Sequence, residues 1–183
     1  MITIIKGNEN YIKGVMELYH RIQNDFKEKN LDIYQDSEYP NRDIFINDLS
    51  KNDNTLLILD NDRVIGFITS ENGDKFIASL FDDKISEEKF FEKYKLNDYK
   101  GRIVAYERLM IDPEFRHQGY GSKLMSILGE KYGGYFVIFL AHKDNHNAIK
   151  LYEYLGYNCL GLEEFCFGKY YVFVKNQLVG LNA

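Results

Sequence analysis

The stretch Glu107-Arg108-Leu109-Met110-Ile111-Asp112-Pro113-Glu114-Phe115-Arg116-His117-Gln118-Gly119-Tyr120-Gly121 constrains this chain more than any other. A strand-like run, Ile103–Ile111, enters a short loop holding Pro113, and two glycines follow. An amphipathic helix then starts at once over Gly119–Tyr132, with Leu124, Met125, Ile127 and Leu128 on its apolar face. Glycines at such a junction permit a sharp turn and let the backbone approach a ligand. The main-chain N–H groups from His117 to Gly121 can converge there on an anion, helped by the positive end of the helix, and a pyrophosphate suits that span. No Gly-Lys-Ser/Thr follows and a third glycine is missing, so the turn is neither a P-loop nor a dinucleotide fingerprint. Helix packing alone explains many Gly-x-Gly turns, so the spacing by itself leaves the ligand open.

The rest of the chain reads as alternating helices and strands with hairpins at both ends. Ile2–Lys6 is a first strand. A long helix follows, capped by Asn8 or Asn10, with Ile12, Val15, Met16, Tyr19, Ile22 and Phe26 on one face. Pro40 suits the first turn of a short helix carrying Ile44, Phe45, Ile46 and Leu49. Thr55–Leu59 and Val64–Thr69 form a hairpin around Asp60-Asn61-Asp62. Phe76–Phe81 is expected as a strand and Ser86–Tyr94 as a helix begun by Ser86. Tyr135–His142 reads as a buried strand and Asn147–Leu155 as a helix ended by Gly156. Strands near Tyr157–Leu162 and Tyr170–Lys175 close a mixed α/β sheet.

Composition narrows the function. The 183 residues carry 23 Lys and Arg against 28 Asp and Glu, a formal net charge of −5. That length suits one domain, 1–183, and 45% hydrophobic with 28% charged residues is globular rather than disordered. The acidic balance argues against a nucleic-acid partner, since phosphate backbones select basic surfaces. The longest apolar run, Tyr135–Ala141, is far shorter than the ~20 residues of a membrane helix, so no membrane partner is expected. Met1–Lys6 lacks a secretory pattern, which makes the expected location cytoplasmic. Cys159 and Cys166 read as reduced, structural thiols. His142 and His146 flank Asp144 but straddle a strand end and a loop and lack the Glu of a zincin motif, so no metal is expected. A homodimer is left open.

Arg116-His117-Gln118-Gly119-Tyr120-Gly121 resembles the Arg/Gln-x-x-Gly-x-Gly/Ala loop of the Gcn5-related N-acetyltransferases (GNAT) at every defined position. Asn145-His146-Asn147-Ala148-Ile149-Lys150-Leu151-Tyr152-Glu153-Tyr154-Leu155-Gly156-Tyr157 resembles that family's second signature of Asn, Ala, Leu-Tyr and Gly-Phe, with Tyr157 in the last aromatic position. Ile33–Asn41 also looks like an acceptor-side loop of some bacterial members, without the Trp they often carry. The resemblance implies an α/β fold, a single GNAT-like domain with a mixed central sheet of about six to seven strands flanked by helices. Residues 71–100 would be a family-variable insert. It further implies an acyltransferase that takes acetyl-CoA as co-substrate, without a metal. The main chain of Leu109, Met110 and Ile111 would bind the pantetheine arm, although Leu109 and Ile111 could also face the core. His117, Gln118, Gly119, Tyr120 and Gly121 would supply amides to the pyrophosphate, Arg116 would open the loop, and Ser122 could add a hydroxyl. Asn145 would touch the pantetheine and Tyr152 would lie near the thioester sulfur.

Thioester aminolysis needs a neutral amine, and stripping a proton from a lysine-like amine at neutral pH costs about 4–5 kcal/mol. Glu107, one strand repeat before Leu109, is the candidate general base; pairing with Arg102 or Arg108 on a solvated face is the competing reading. Tyr152 is the candidate acid for the departing thiolate, since a phenol is protonated at pH 7. It also lies on the apolar stripe Ala148, Leu151, Tyr152, Leu155 and could simply pack. Between Asp32 and Asp62, eight acids (Asp32, Asp36, Glu38, Asp43, Asp48, Asp53, Asp60, Asp62) face two bases, Arg42 and Lys51. The resemblance implies that this segment forms much of the acceptor side, where it favours a small cationic amine, with a solubility role as the alternative. A silent acyl-CoA sensor and a protein N-terminal or lysine acetyltransferase are the other functions the sequence leaves standing.

Overall fold

A computed structural model describes residues 1–31, 33 and 40–176. Among them are seven strands: β1 Ile2–Lys6, β2 Thr55–Asp60, β3 Arg63–Asn72, β4 Ile103–Ile111, β5 Phe136–His142, β6 Asn158–Phe165 and β7 Gly168–Asn176. The six α-helices are α1 Ile12–Glu28, α2 Arg42–Ser50, α3 Gly73–Ser79, α4 Lys84–Lys93, α5 Tyr120–Lys131 and α6 His146–Tyr154. The strands form one mixed sheet in the order β1-β2-β3-β4-β5-β7-β6. This is the expected α/β architecture.

The chain divides into two compact units. The first comprises Met1–Thr69 and Arg108–Leu128. In it β1 pairs antiparallel with β2, Ile4 opposite Ile58, and β2 pairs antiparallel with β3, Leu57 opposite Phe67. The β2–β3 turn is the two residues Asn61-Asp62, with Asn61 at φ 53, a conformation Asn tolerates better than most residues. Helix α1 buries Val15, Leu18, Tyr19, Ile22 and Phe26 against Phe45 and Leu49 of α2 and Leu57, Val64 and Phe67 of the sheet. The ring of Phe45 meets those of Tyr19 and Phe67 at 5.4 and 5.6 Å. Ile12 and Met16 sit at the rim of this core, and Leu18 is fully buried although it lies outside the expected stripe. Pro40 stands before the N-cap Asn41, whose side chain accepts from the Ile44 N–H, so α2 starts two residues later than Pro40 suggests.

The second unit comprises Ser70–Glu107 and the chain from Gly129 onward. In it β4 pairs parallel with β5, Ile103–Ala105 opposite Phe136–Ile138, while β7 pairs antiparallel with both β5 and β6. The expected strand at Phe76–Phe81 is instead the helix α3. Asn72 caps it by accepting the Lys75 N–H at 2.9 Å, and Phe76, Ile77 and Leu80 recur at helical spacing into a core with Phe90, Phe91 and Ile103. Close packing sets Gly73, since a Cβ there would lie 2.3 Å from Ile103. Helix α4 begins at Lys84, with Asp83 rather than Ser86 as its cap; Asp83 accepts from the Ser86 N–H and hydroxyl. The Asp83 carboxyl is held below its ordinary range by those Ser86 hydrogen bonds.

Candidate functional site

The β4–α5 turn is built from an alternation of backbone conformations. Asp112 caps a single 3-10 turn, Pro113–Phe115, by accepting the Glu114 N–H at 3.2 Å, and Pro113 occupies its first position. Arg116 is extended, His117 is left-handed at φ 61, and Gly119 is left-handed at φ 81. Helix α5 starts at Tyr120. Among the described residues no protein acceptor faces the main-chain N–H groups of His117 to Ser122. A run of N–H groups through left-handed residues into a helix N-terminus is an anion-binding concavity. His117, Gln118 and Gly119 are exposed there, Tyr120 and Ser122 are half-buried, and Gly121 is buried. The Gln118 side chain is turned back onto the Glu114 carbonyl at 3.3 Å, which leaves its main chain as the part that faces outward.

Ionic ties fix both ends of this turn. Asp112 is fully buried and accepts from Arg21 Nε at 2.7 Å and Arg63 Nη2 at 2.8 Å. Arg21 also donates to the Val64 carbonyl, and the Asp112 N–H donates to the Ile65 carbonyl at 2.9 Å. Arg116 donates through Nη1 to Asp25 Oδ2 at 2.5 Å and through Nε to the Ile111 carbonyl at 3.3 Å, with its guanidinium over the Phe26 ring. Burial alone would raise the Asp25 carboxyl, but hydrogen bonds and charge from Lys29 and Arg116 hold it below its ordinary value. No local pattern in the sequence gives Arg21, Asp25, Arg63 or Asp112 this ionic role. Asp112-Pro113 carried a readable cap signal, whereas partners 91 residues away leave none.

The strand entering the turn is irregular. Arg108 stands at φ 52 inside β4, and its guanidinium grips both carboxylate oxygens of the buried Asp48, at 2.6 and 3.0 Å. Past that residue Met110 is the one buried in the core, while Leu109 and Ile111 are half-buried. The core-facing alternative for Leu109 and Ile111 therefore falls to Met110, as period-two alternation requires.

Glu107, Asn145 and Tyr152 belong to the second unit. Glu107 is half-buried. Arg102 donates to the Asp98 carbonyl, Arg108 bonds to Asp48, and Glu107 is itself engaged in an interaction. Asn145 is the N-cap of α6, its side-chain oxygen accepting the Ala148 N–H at 3.2 Å. Tyr152 is buried among aromatic rings, 4.2 Å from Phe139 and 5.4 Å from Phe173 between centroids. Tyr157 completes the cluster, 4.8 Å from Phe139, and burial pushes its phenol up to about 12. Gly156 ends α6 at φ 75, as expected of a left-handed cap. Of the α6 stripe Ala148, Leu151, Tyr152 and Leu155, Tyr152 is buried and the other three are half-buried.

The acidic segment is less free than its count implies. Asp48 is consumed by Arg108 and Lys51, Asp53 pairs with Lys6 at 2.5 Å, and Asp60 pairs with the N-terminal amine. Asp43 and Asp62 are exposed. Asp32, Asp36 and Glu38, with most of the loop from Ile33 to Asn41, lie outside the described residues. Cys159 and Cys166 are free thiols but exposed, so neither packs in the core. Among the described residues no cluster of three His, Cys, Asp or Glu could hold a metal, and no helix is long and apolar enough to cross a membrane.

Comparison with known proteins gives this geometry a family. Solved structures share the fold across nearly the whole chain. An acetyltransferase of the GNAT family from Streptococcus agalactiae 2603 is 19% identical, with 96% of this chain and 95% of that chain covered at a TM-score of 0.73. The PaiA N-acetyltransferase from Thermoplasma acidophilum, in complex with coenzyme A, is 15% identical with 96% and 99% covered at 0.66. The ribosomal-protein-S18-alanine N-acetyltransferase from Escherichia coli is 14% identical with 100% and 99% covered at 0.61. The sequence model of the acetyltransferase (GNAT) family matches residues 16–157, from within α1 to the residue after Gly156. The chain thus belongs to the acetyltransferase (GNAT) family and is an acyltransferase.

Proposed function

We propose that this protein transfers the acetyl group of acetyl-CoA directly to the primary amine of a small, cationic acceptor, as one N-acetyltransferase domain over residues 1–183. The observation that carries the cofactor half is the row of main-chain N–H groups from His117 to Ser122, which have no protein acceptor among the described residues and lead into α5. A neighbour of the same fold in complex with coenzyme A supports the same choice. Leu109, Met110 and Ile111 would offer main-chain groups to the pantetheine arm. Arg116, bonded to Asp25 and to the Ile111 carbonyl, would set the start of the turn rather than reach for phosphate. Asn145 would contribute through its amide nitrogen, because its oxygen caps α6.

In the transfer step the amine nitrogen bonds to the thioester carbonyl carbon and the carbon–sulfur bond breaks. Glu107, directly or through water, would take the proton the amine loses, and Tyr152 would give one to the departing thiolate. Holding amine and thioester together supplies most of the acceleration. The cationic acceptor rests on the acid-rich segment ending at Asp62, in which Asp43 and Asp62 are exposed.

The test is release of coenzyme A thiol from acetyl-CoA over a panel of polyamines, lysine-like amines, neutral amines and peptides. Turnover on cationic amines, weakened by added salt, supports the proposal. Acetylation of neutral or acidic amines alone, insensitive to salt, removes its acceptor half. Binding of acetyl-CoA without turnover on any amine would mark a sensor, and turnover on peptides alone a protein acetyltransferase.

A further inference from the structure

An arginine inside a strand has no intrinsic reason to adopt the left-handed region, where its Cβ crowds the following carbonyl. Arg108 stands at φ 52 within β4, so its conformation is held from outside the strand. Asp48 is one such holder. Arg108 Nε donates to Asp48 Oδ2 at 2.6 Å and Arg108 Nη2 donates to Asp48 Oδ1 at 3.0 Å. The two side chains are 8% and 0% exposed. A forked pair of this kind fixes direction as well as distance, because the planar guanidinium and the carboxylate must lie edge to edge.

Asp48 is in turn anchored beyond its own helix. Lys51 Nζ donates to its Oδ1 at 2.9 Å, and its main-chain carbonyl accepts the Thr55 hydroxyl at 2.6 Å. The Thr55 hydroxyl lies 2.8 Å from that of Thr69, and both threonines are fully buried. The position of α2, through Asp48, is therefore imposed on the β4 main chain at the residue just before Leu109.

We propose that Asp48 is a positioning residue for acetyl transfer: acting through Arg108, it holds the left-handed residue in β4 that aims the main-chain groups of Leu109–Ile111 at the pantetheine arm and so sets where the thioester lies. This rests on the proposed function, in which those groups face the cofactor. The anion-binding turn is held by other pairs, Arg116 with Asp25 and Asp112 with Arg21 and Arg63. Loosening Arg108 therefore lowers kcat while acetyl-CoA still binds.

The experiment separates backbone geometry from ion pairing. Asp48→Asn removes the charge; in that background Arg108→Gly and Arg108→Ala both delete the guanidinium, but only glycine takes φ 52 without strain. Asp48→Asn should lower kcat by about tenfold or more with the KM for acetyl-CoA changed by less than about threefold. The double variant with glycine should recover most of kcat and the one with alanine should not, even though glycine is the poorer residue for a strand. Alanine equal to or better than glycine, or a normal kcat in Asp48→Asn, overturns the proposal. Should the wild-type protein turn over no amine, the proposed function fails separately, and amide hydrogen exchange decides the clamp. Exchange at Leu109–Ile111 should accelerate in Asp48→Asn and slow again in the glycine double variant; unchanged exchange in Asp48→Asn overturns the proposal.

Discussion

Arg116, the residue that opens the anion-binding turn, is tied to Asp25 of α1 at 2.5 Å, with their side chains 16% and 14% exposed. The pair joins residues 91 positions apart and places the helix that follows β1 behind the loop that follows β4. Its pH dependence follows from the lowered Asp25 carboxyl. A carboxyl whose folded pKa lies below its unfolded value stabilises the fold fully above the unfolded value, here the ordinary 3.8, and loses that contribution as pH falls through the folded one. Asp25→Asn should cost about 1–3 kcal/mol at neutral pH. In denaturant titrations across pH, the gap between wild type and Asp25→Asn should stay constant above 3.8 and close only below it.

Gly119→Ala tests the turn by backbone alone. A Cβ at Gly119 meets nothing within 4 Å, so any effect comes from φ 81. The strain should cost about 1–2 kcal/mol. Isothermal titration should show weaker binding of acetyl-CoA by about tenfold, because relaxing φ turns an N–H away from the anion.

Asp112→Ala removes the carboxylate that two arginines share. Arg21 and Arg63 are 30% and 43% exposed, so water relieves part of the loss. A destabilisation of about 3 kcal/mol is expected, measured as a shift in the urea midpoint. Asp112→Asn should recover part of it by keeping the cap on Pro113–Phe115.

Tyr152→Phe should lower the rate of acetyl transfer while acetyl-CoA affinity stays nearly intact. Phenylalanine preserves the ring packing on Phe139 and Phe173, so the fold should persist and the loss should show in the rate. An unchanged rate would remove the hydroxyl from the chemistry and leave Tyr152 as a packing residue.

Much of the fold was legible because it is written in local periodicity. β1, β4, β5 and the hairpin β2–β3 are alternating or continuous apolar runs bounded by turn residues, and α1, α5 and α6 carry an apolar face. The misreading of Phe76–Phe81 has a physical cause. A short run of five apolar residues around Ser79 satisfies strand and helix templates alike, and the cap at Asn72 with the packing of Phe76, Ile77 and Leu80 decides for α3. The acidic segment misled in a different way: Asp48 counts as a surface charge in the sequence and is wholly buried in the fold.

The sequence by itself determined the family, because the turn Arg116–Gly121 and the run Asn145–Tyr157 are contiguous motifs whose spacing is a local property of the chain. Only the tertiary structure decided what holds those motifs in place. The left-handed Arg108 on Asp48, Arg116 on Asp25, and Asp112 between Arg21 and Arg63 are pairs separated by 49 to 91 residues. Charge complementarity across such distances leaves no periodic trace; it exists only once the buried faces of α1, α2 and the sheet have brought the partners together.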